Sequence, residues 1–269
     1  MSASTHTSVY RNDLLAGKVA FITGGGSGIC KGIARAFMSH GASTAIVGRK
    51  ADRLQAAAAE LSDETGQRCL AVPADVRQPE TIEAALAKTV EEYGSLDVVV
   101  NGAAGNFLAP AAGLSYNGFA TVIGIDTLGT FNVCRAAFDA GLRDNGGVII
   151  NISATLHYGA QPMQTHASAA KAAVDSITRS LALEWGQFGI RVNGIAPGPI
   201  AETEGMKRLA PAEEVTKKLE RAIAIGRFGR IDEIANVALF LASDAASLVH
   251  GETVVADGGA WLGPANIEF

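Results

Sequence analysis

The residues with the plainest chemical meaning in this 269-residue chain are the run Thr23-Gly-Gly-Gly-Ser-Gly-Ile29. It lies between an apolar stretch of strand length and a segment of helical period. Without side chains at Gly24, Gly25, Gly26 and Gly28, the backbone N–H groups there, with Ser27 and the helix start at Ile29, can approach a pyrophosphate, which is the chemistry of dinucleotide binding. The same run also suits a plain tight turn, and the residues further along bear on the choice. A second apolar stretch ends in Val47-Gly-Arg-Lys50. Arg49 thus stands where an NAD-dependent site would set a carboxylate against the ribose 2′-hydroxyl, and a planar guanidinium suits a 2′-phosphate instead. The expected cofactor is therefore NADPH/NADP+; the alternative for Arg49 is a solvated surface cation. Asp75-Val76, Asn101-Gly-Ala-Ala-Gly105 with Ala103 at its centre, and Pro197-Gly-Pro-Ile200 each follow a later apolar stretch. Such positions share the carboxyl edge of a parallel sheet, where open α/β folds bind ligands, so Asp75, Val76, Ala103, Pro197, Gly198 and Ile200 join the expected cofactor rim.

These residues need a scaffold that gathers strand ends on one edge, and the hydrophobic pattern supplies it. Apolar runs at residues 19–23, 43–47, 69–74, 96–100, 147–152, 191–195 and 253–256 alternate with helical segments at 29–40, 52–64, 79–93, 119–142, 160–179 and 231–241. The alternation implies βαβ units, and the nearly unbroken apolar runs are those of strands covered on both faces. Pro79 suits a helix's first turn, Ile82, Leu86, Val90 and Tyr93 line one face, and Gly94 stops it. Residues 198–211 read as a polar, glycine- and proline-bearing loop ahead of a short helix. The expected fold class is α/β: a single doubly wound Rossmann-type domain over residues 15–269 with a mainly parallel, seven-stranded sheet, preceded by a polar segment at 1–14.

Charge and composition narrow the partners. A net charge of −5 with no Lys/Arg cluster leaves no footprint for nucleic acid and no polybasic membrane anchor. Residues 1–13 are polar, without an apolar signal core, and no later stretch approaches the length of a membrane span, so no membrane association is expected. Cys30, Cys69 and Cys134 are odd in number and lack metal-ligand spacing; neither a disulfide framework nor a metal site is expected, and a reducing compartment fits.

Together these motifs resemble the short-chain dehydrogenase/reductase superfamily over residues 15–262. Within it, Asn101-Gly-Ala-Ala-Gly-Asn-Phe107, Ile125-Asp-Thr-Leu-Gly-Thr-Phe131, Ser153-Ala-Thr155, Ala167-Ser-Ala-Ala-Lys171 and Thr203-Glu-Gly-Met-Lys-Arg-Leu209 resemble the peroxisomal-type 2,4-dienoyl-CoA reductases. Two departures from the wider superfamily stand out. The positions of its catalytic serine and tyrosine are Ala154 and Ala167, and Cys30 replaces the last glycine of its Gly-x-x-x-Gly-x-Gly turn. The terminal Ile267-Glu268-Phe269 is not a Ser-Lys-Leu-like peroxisomal address, so the resemblance points to a peroxisome and the terminus leaves the cytosol as the alternative.

The resemblance implies NADPH-dependent reduction of 2,4-dienoyl-CoA to 3-enoyl-CoA in unsaturated fatty acid breakdown. Hydride arriving at C5 pushes charge onto the thioester oxygen, and a proton must then reach C2, so the chemistry needs oxyanion stabilisation and a carbon-directed acid rather than a phenol. By resemblance, Lys171 grips the nicotinamide ribose, and Asp126 with Lys171 orients a water that protonates the dienolate; the alternative is that Asp126 only ties two backbone segments together. Arg77, Phe107, Ser115, Tyr116, Asn117 and Arg208 are the matching positions for the acyl-CoA thioester substrate. Tyr158 lies in the same loop as a proton-donating tyrosine of mitochondrial relatives but out of register with it, which suits a pocket wall, and His166 suits a packed or surface histidine. A homo-oligomer, tetramer or dimer, is implied, with contacts through the helices around 119–142 and 160–179. Other readings are a tailoring reductase on another conjugated acyl or carbonyl substrate, and a catalytically silent NADPH-binding scaffold. Retention of Lys171 beside an aspartate argues against silence.

Overall fold

The computed structural model describes residues 9–209 and 212–263, with side chains for all of these except 207–209. Seven strands form one sheet: β1 (Val19–Thr23), β2 (Ser43–Gly48), β3 (Cys69–Pro73), β4 (Val98–Asn101), β5 (Gly147–Ile152), β6 (Ile190–Pro197) and β7 (Thr253–Ala256). Their order is β3-β2-β1-β4-β5-β6-β7, and every pairing is parallel, so the expected sheet is parallel throughout rather than mainly so. The order reverses between β1 and β4, which opens a crevice at the carboxyl ends of those two strands.

Helices cover both faces because successive strand residues point to opposite sides. Ile22 and Ile46 pack with Ile33 and Phe37 of α1 (Gly28–Ser39), Leu54 and Leu61 of α2 (Ala51–Thr65) and Leu239 of α10 (Ile231–Ala242). Phe21 and Val47 pack on the other side with Ile82 and Leu86 of α3 (Pro79–Tyr93), Val133 of α5 (Gly129–Ala137) and Trp185 of α7 (Thr165–Trp185). The sequence signals for α3 hold: proline is in its first turn, and Gly94 ends it at φ 84°, a conformation that glycine adopts without the Cβ penalty.

Residues Tyr116 to Asn145 run through α4 (Tyr116–Val122), α5 and α6 (Arg143–Asn145), separated by two wide, π-type stretches, Ile123–Leu128 and Phe138–Leu142, the second kinked at Gly141, whose φ of 153° is not helical. Two expected boundaries move. α7 starts at Thr165 rather than 160, because Met163 takes φ 65° and Gln161 precedes a proline, both poor fits to a right-handed helix. The expected loop at 198–211 contains a short helix, α8 (Glu204–Leu209), before α9 (Glu213–Ala222). Thr203 caps α8, its Oγ1 accepting from Met206 N at 3.3 Å, and Glu204 opens the first turn. Among the described residues, no helix is long and apolar enough to cross a membrane.

Candidate active site

The glycine turn closes against the neighbouring strand end. A Cβ on Gly24, which has φ 71°, would lie 2.7 Å from Gly102 O, and one on Gly25 would lie 2.7 Å from Ile46, so neither position tolerates a side chain. Gly28, at φ 57°, faces open space except for Thr203 Cγ2 at 4.0 Å from a built Cβ, and it begins α1, whose first N–H groups lack intrahelical acceptors. That is an open glycine turn at a helix N-terminus, the setting in which backbone N–H groups bind phosphate. Thr23 Oγ1 accepts from Gly102 N at 3.0 Å and Ala103 N at 3.2 Å, locking the turn after β4 to the end of β1. Sequence reasoning gave Thr23 no role, although a threonine ending the strand before such a turn is a visible signal.

Arg49 is exposed just past β2. Asp75 is held below the usual carboxylate range, first by hydrogen bonds from Arg77 and last by the positive field of Arg49. Val76 is buried, and a Cβ on Gly129 would lie 2.5 Å from its side chain. Pro197 ends β6, Gly198 would clash with Asp257 if it bore a side chain, and Ile200 is buried and bridged to Gly229. The rim residues named from sequence thus lie at or just beyond strand ends on one edge of the sheet. The open glycine turn, the helix terminus and an exposed guanidinium together fit a dinucleotide bearing a 2′-phosphate.

Beside this rim lies a buried ion pair. Lys171 Nζ is 3.0 Å from Asp126 Oδ2, with the two side chains only 10% and 1% exposed. Lys171 also donates to Ile152 O at 2.9 Å, and Asp126 Oδ1 accepts from Gly105 N at 2.7 Å. Asp126 lies in the first wide stretch of the α4–α6 run, a backbone form that often occurs at functional sites. The pair therefore joins α7, that wide stretch and the ends of β4 and β5, which are the elements bordering the crevice.

The family described as Enoyl-(Acyl carrier protein) reductase matches residues 24–260. The chain belongs to the short-chain dehydrogenase/reductase family. A peroxisomal 2,4-dienoyl-CoA reductase [(3E)-enoyl-CoA-producing] of Danio rerio is 51% identical over 261 residues, covering 97% of this chain and 87% of the relative. A solved short chain dehydrogenase of Bacillus anthracis is 40% identical with a TM-score of 0.81, covering 91% of this chain and 96% of that one. A solved gluconate 5-dehydrogenase of Burkholderia cenocepacia, in complex with NADP and tartrate, is 31% identical with a TM-score of 0.87, covering 93% and 97%.

For a short-chain reductase the remaining geometry is unusual. Ala167 is buried at the start of α7, and neither it nor Ala154 offers a hydroxyl. Cys30 fits where the family's turn has glycine because Gly102 has no side chain: a Cβ there would lie 1.9 Å from Cys30 Sγ. Burial pushes the Cys30 thiol up to about 12. Tyr158 turns to Asp175, its hydroxyl donating to Oδ2 at 3.4 Å beside His157 Nε2 at 2.8 Å, and burial followed by the Asp175 charge pushes that phenol up to about 12. Its hydroxyl is thus spent one turn along α7 from Lys171.

The substrate positions are only partly gathered. Phe107 is 40% exposed and stacks on His166 with ring centroids 4.3 Å apart. His166 is fully buried, which settles packed against surface. Arg77 is turned onto Asp75, with Nε 3.0 Å from Oδ1. Ser115 caps α4 by accepting from Gly118 N at 3.0 Å, while Tyr116 and Asn117 are exposed. The side chain of Arg208 lies outside the described residues.

Proposed function

We propose that this chain is an NADPH-dependent 2,4-dienoyl-CoA reductase, an oxidoreductase acting on a conjugated CH–CH system and yielding a 3-enoyl-CoA. What carries the reading is the Asp126–Lys171 ion pair at a family active site whose serine and tyrosine positions are Ala154 and Ala167. The similarity to dienoyl-CoA reductases over nearly the whole chain supports it.

NADPH, when bound, supplies the hydride for C5 of the dienoyl thioester. Gly24, Gly25, Gly26, Ser27, Gly28 and Ile29 would hold its pyrophosphate, and Arg49 the 2′-phosphate. Asp75, Val76, Ala103, Pro197, Gly198 and Ile200 would border the rest of it. Lys171 has one N–H left after Asp126 and Ile152, and that donor would hold the nicotinamide ribose. Asp126 keeps free lone pairs on both oxygens and would accept a hydrogen bond from the water that gives its proton to C2, while the Lys171 ammonium, its N–H groups then taken, acts on that water and on the hydroxide left behind through its positive charge. Phe107 would border the acyl chain, with Tyr116, Asn117 and Arg208 toward the CoA; Ser115 serves them as the α4 cap, and Arg77 must exchange its Asp75 partner to meet a CoA phosphate.

Self-association as a tetramer or dimer is supported by exposed apolar side chains on the first of the expected helices, Phe119, Leu128 and Phe131. The activity is tested by mixing purified protein, NADPH and a 2,4-dienoyl-CoA, following loss of nicotinamide absorbance and locating the remaining double bond by NMR. A 3-enoyl product is expected. No turnover of any dienoyl thioester, with ready reduction of ketones, overturns the reading.

A further inference from the structure

His166 lies in the first turn of α7, one residue before Ala167, and neither of its ring nitrogens has a hydrogen-bond partner among the described residues, although the residue is fully buried. Stacking on Phe107 satisfies the ring's face and leaves its edge, where a neutral imidazole carries one N–H donor and one lone-pair acceptor. Burying such groups unpaired costs about 1–3 kcal/mol each, a cost that a phenylalanine in the same stack would not incur. Asp126, Asn106 and Thr127 are partnered by contrast. Asp126 takes the N–H of Gly105 and the ammonium of Lys171, Asn106 Nδ2 donates to Gln164 Oε1 at 2.8 Å, and Thr127 Oγ1 donates to Ala170 O at 3.3 Å.

The chemistry of the site has a matching unfilled role. Charge driven onto a thioester oxygen needs a preorganised donor, and Ala154 and Ala167 provide none. Asp126 accepts only, two of the three Lys171 N–H groups are committed within the protein, and the functional reading gives the third to the ribose. His166 adjoins the vacated tyrosine position, and its stacking partner Phe107 lies two residues from Gly105, whose N–H is on Asp126. Phe107 is part-exposed on a segment that is neither helix nor strand, so it can move off the imidazole without disturbing the sheet.

We propose that His166 contacts the substrate: once Phe107 has shifted, the imidazole turns into the space it leaves, and its ring N–H donates a hydrogen bond to the thioester oxygen of a conjugated acyl thioester. No proton changes owner in this step; the bond strengthens as the oxygen gains charge and so favours the transition state. The inference rests on the site being a dienoyl-thioester reductase.

His166→Phe keeps the stack and removes both orphan nitrogens. With dienoyl-CoA its kcat should fall by about 100-fold, the scale for losing one such donor, while its melting temperature holds or rises and NADPH affinity is unchanged. His166→Asn, which restores a planar N–H near the Nδ1 position, should recover part of kcat. Wild-type kcat in a folded His166→Phe enzyme overturns the proposal. If that variant does not fold, the wild-type enzyme with 15N-labelled histidine is titrated with a saturated acyl-CoA in the presence of NADP+: a shift of the His166 ring resonance supports the contact, and an unmoved resonance overturns it. An inactive wild type sinks the functional reading and this inference with it, whereas a fully active His166→Phe sinks only this inference.

Discussion

Lys171 and Asp126 hold each other from different elements: the lysine rises from α7, the aspartate comes from a wide stretch of the α4–α6 run, and 3.0 Å separates Nζ from Oδ2. Breaking a buried pair from one side leaves a charge without a partner, which is costlier than never having the pair. Asp126→Asn keeps an acceptor for Gly105 N–H but leaves the ammonium beside a neutral amide. The variant should lose about 3 kcal/mol of stability, read by denaturant titration. Its turnover of dienoyl-CoA should fall by about 100-fold or more, with NADPH affinity nearly unchanged. Full activity would reduce Asp126 to a tie between Gly105 and α7.

Arg49 should decide between cofactors. An exposed guanidinium has little to contribute to folding, so Arg49→Ala should leave the melting temperature unchanged. If the fork grips a 2′-phosphate, the variant's Kd for NADPH should rise about 10- to 100-fold, the worth of a charge-assisted hydrogen bond, while Kd for NADH stays put. Fluorescence titration with both nucleotides checks it; equal losses for the two would make Arg49 a general surface charge.

The strands, and with them the strand ends where the cofactor rim was expected, were legible because nearly unbroken apolar runs and glycine placement are local signals: β5 and β7 start and stop where the apolar runs do, and Gly94 ends α3. What escaped depended on contacts far along the chain. The start of α7 is set by Met163, whose left-handed backbone is held by Ala109 N donating to its carbonyl, 54 positions away in sequence, and no periodicity encodes that bond. The partner of Tyr158 escaped likewise: Asp175 is an ordinary residue in the sequence, and only the fold brings it to the phenol. Asp75 is only two residues from Arg77, but neither residue type nor spacing said that the pair would close on itself. The Thr203 cap of α8 is different: a threonine followed by an acidic residue was there to be seen.

Cys30 and Gly102 form a complementary pair, with sulfur filling the space that a side chain on the glycine would take. Gly102→Ala should therefore destabilise the protein by about 1–3 kcal/mol through overpacking, and adding Cys30→Ala, which deletes the clashing atom, should restore most of it. Additive losses in this double-mutant cycle would show that the clash relaxes elsewhere. Burial also holds the thiols of Cys30, Cys69 and Cys134 up at about 12, so native protein at pH 8 should resist iodoacetamide at all three and react only on unfolding, as intact mass will report.

Glu233 ties acid stability to the rim. Its carboxylate takes Arg230 N at 2.7 Å and both Arg227 Nη atoms, fixing the turn before α10, and Gly229 in that turn pairs with Pro199 and Ala201 on either side of Ile200. Hydrogen bonds from Arg227, ahead of those from Arg230, hold the carboxyl down at about 2, against about 4.3 for a free glutamate. A carboxyl depressed in the folded state stabilises above its unfolded value and loses that contribution as pH falls toward the folded one. Because the side chain is 33% exposed, solvent screening leaves about 1 kcal/mol rather than the full amount implied by the shift. Glu233→Ala should thus melt below wild type at pH 7, with the gap closing from about pH 4 and gone near pH 2. A gap that persists at pH 2 would mean that the contribution comes from packing of the side chain and not from its charge.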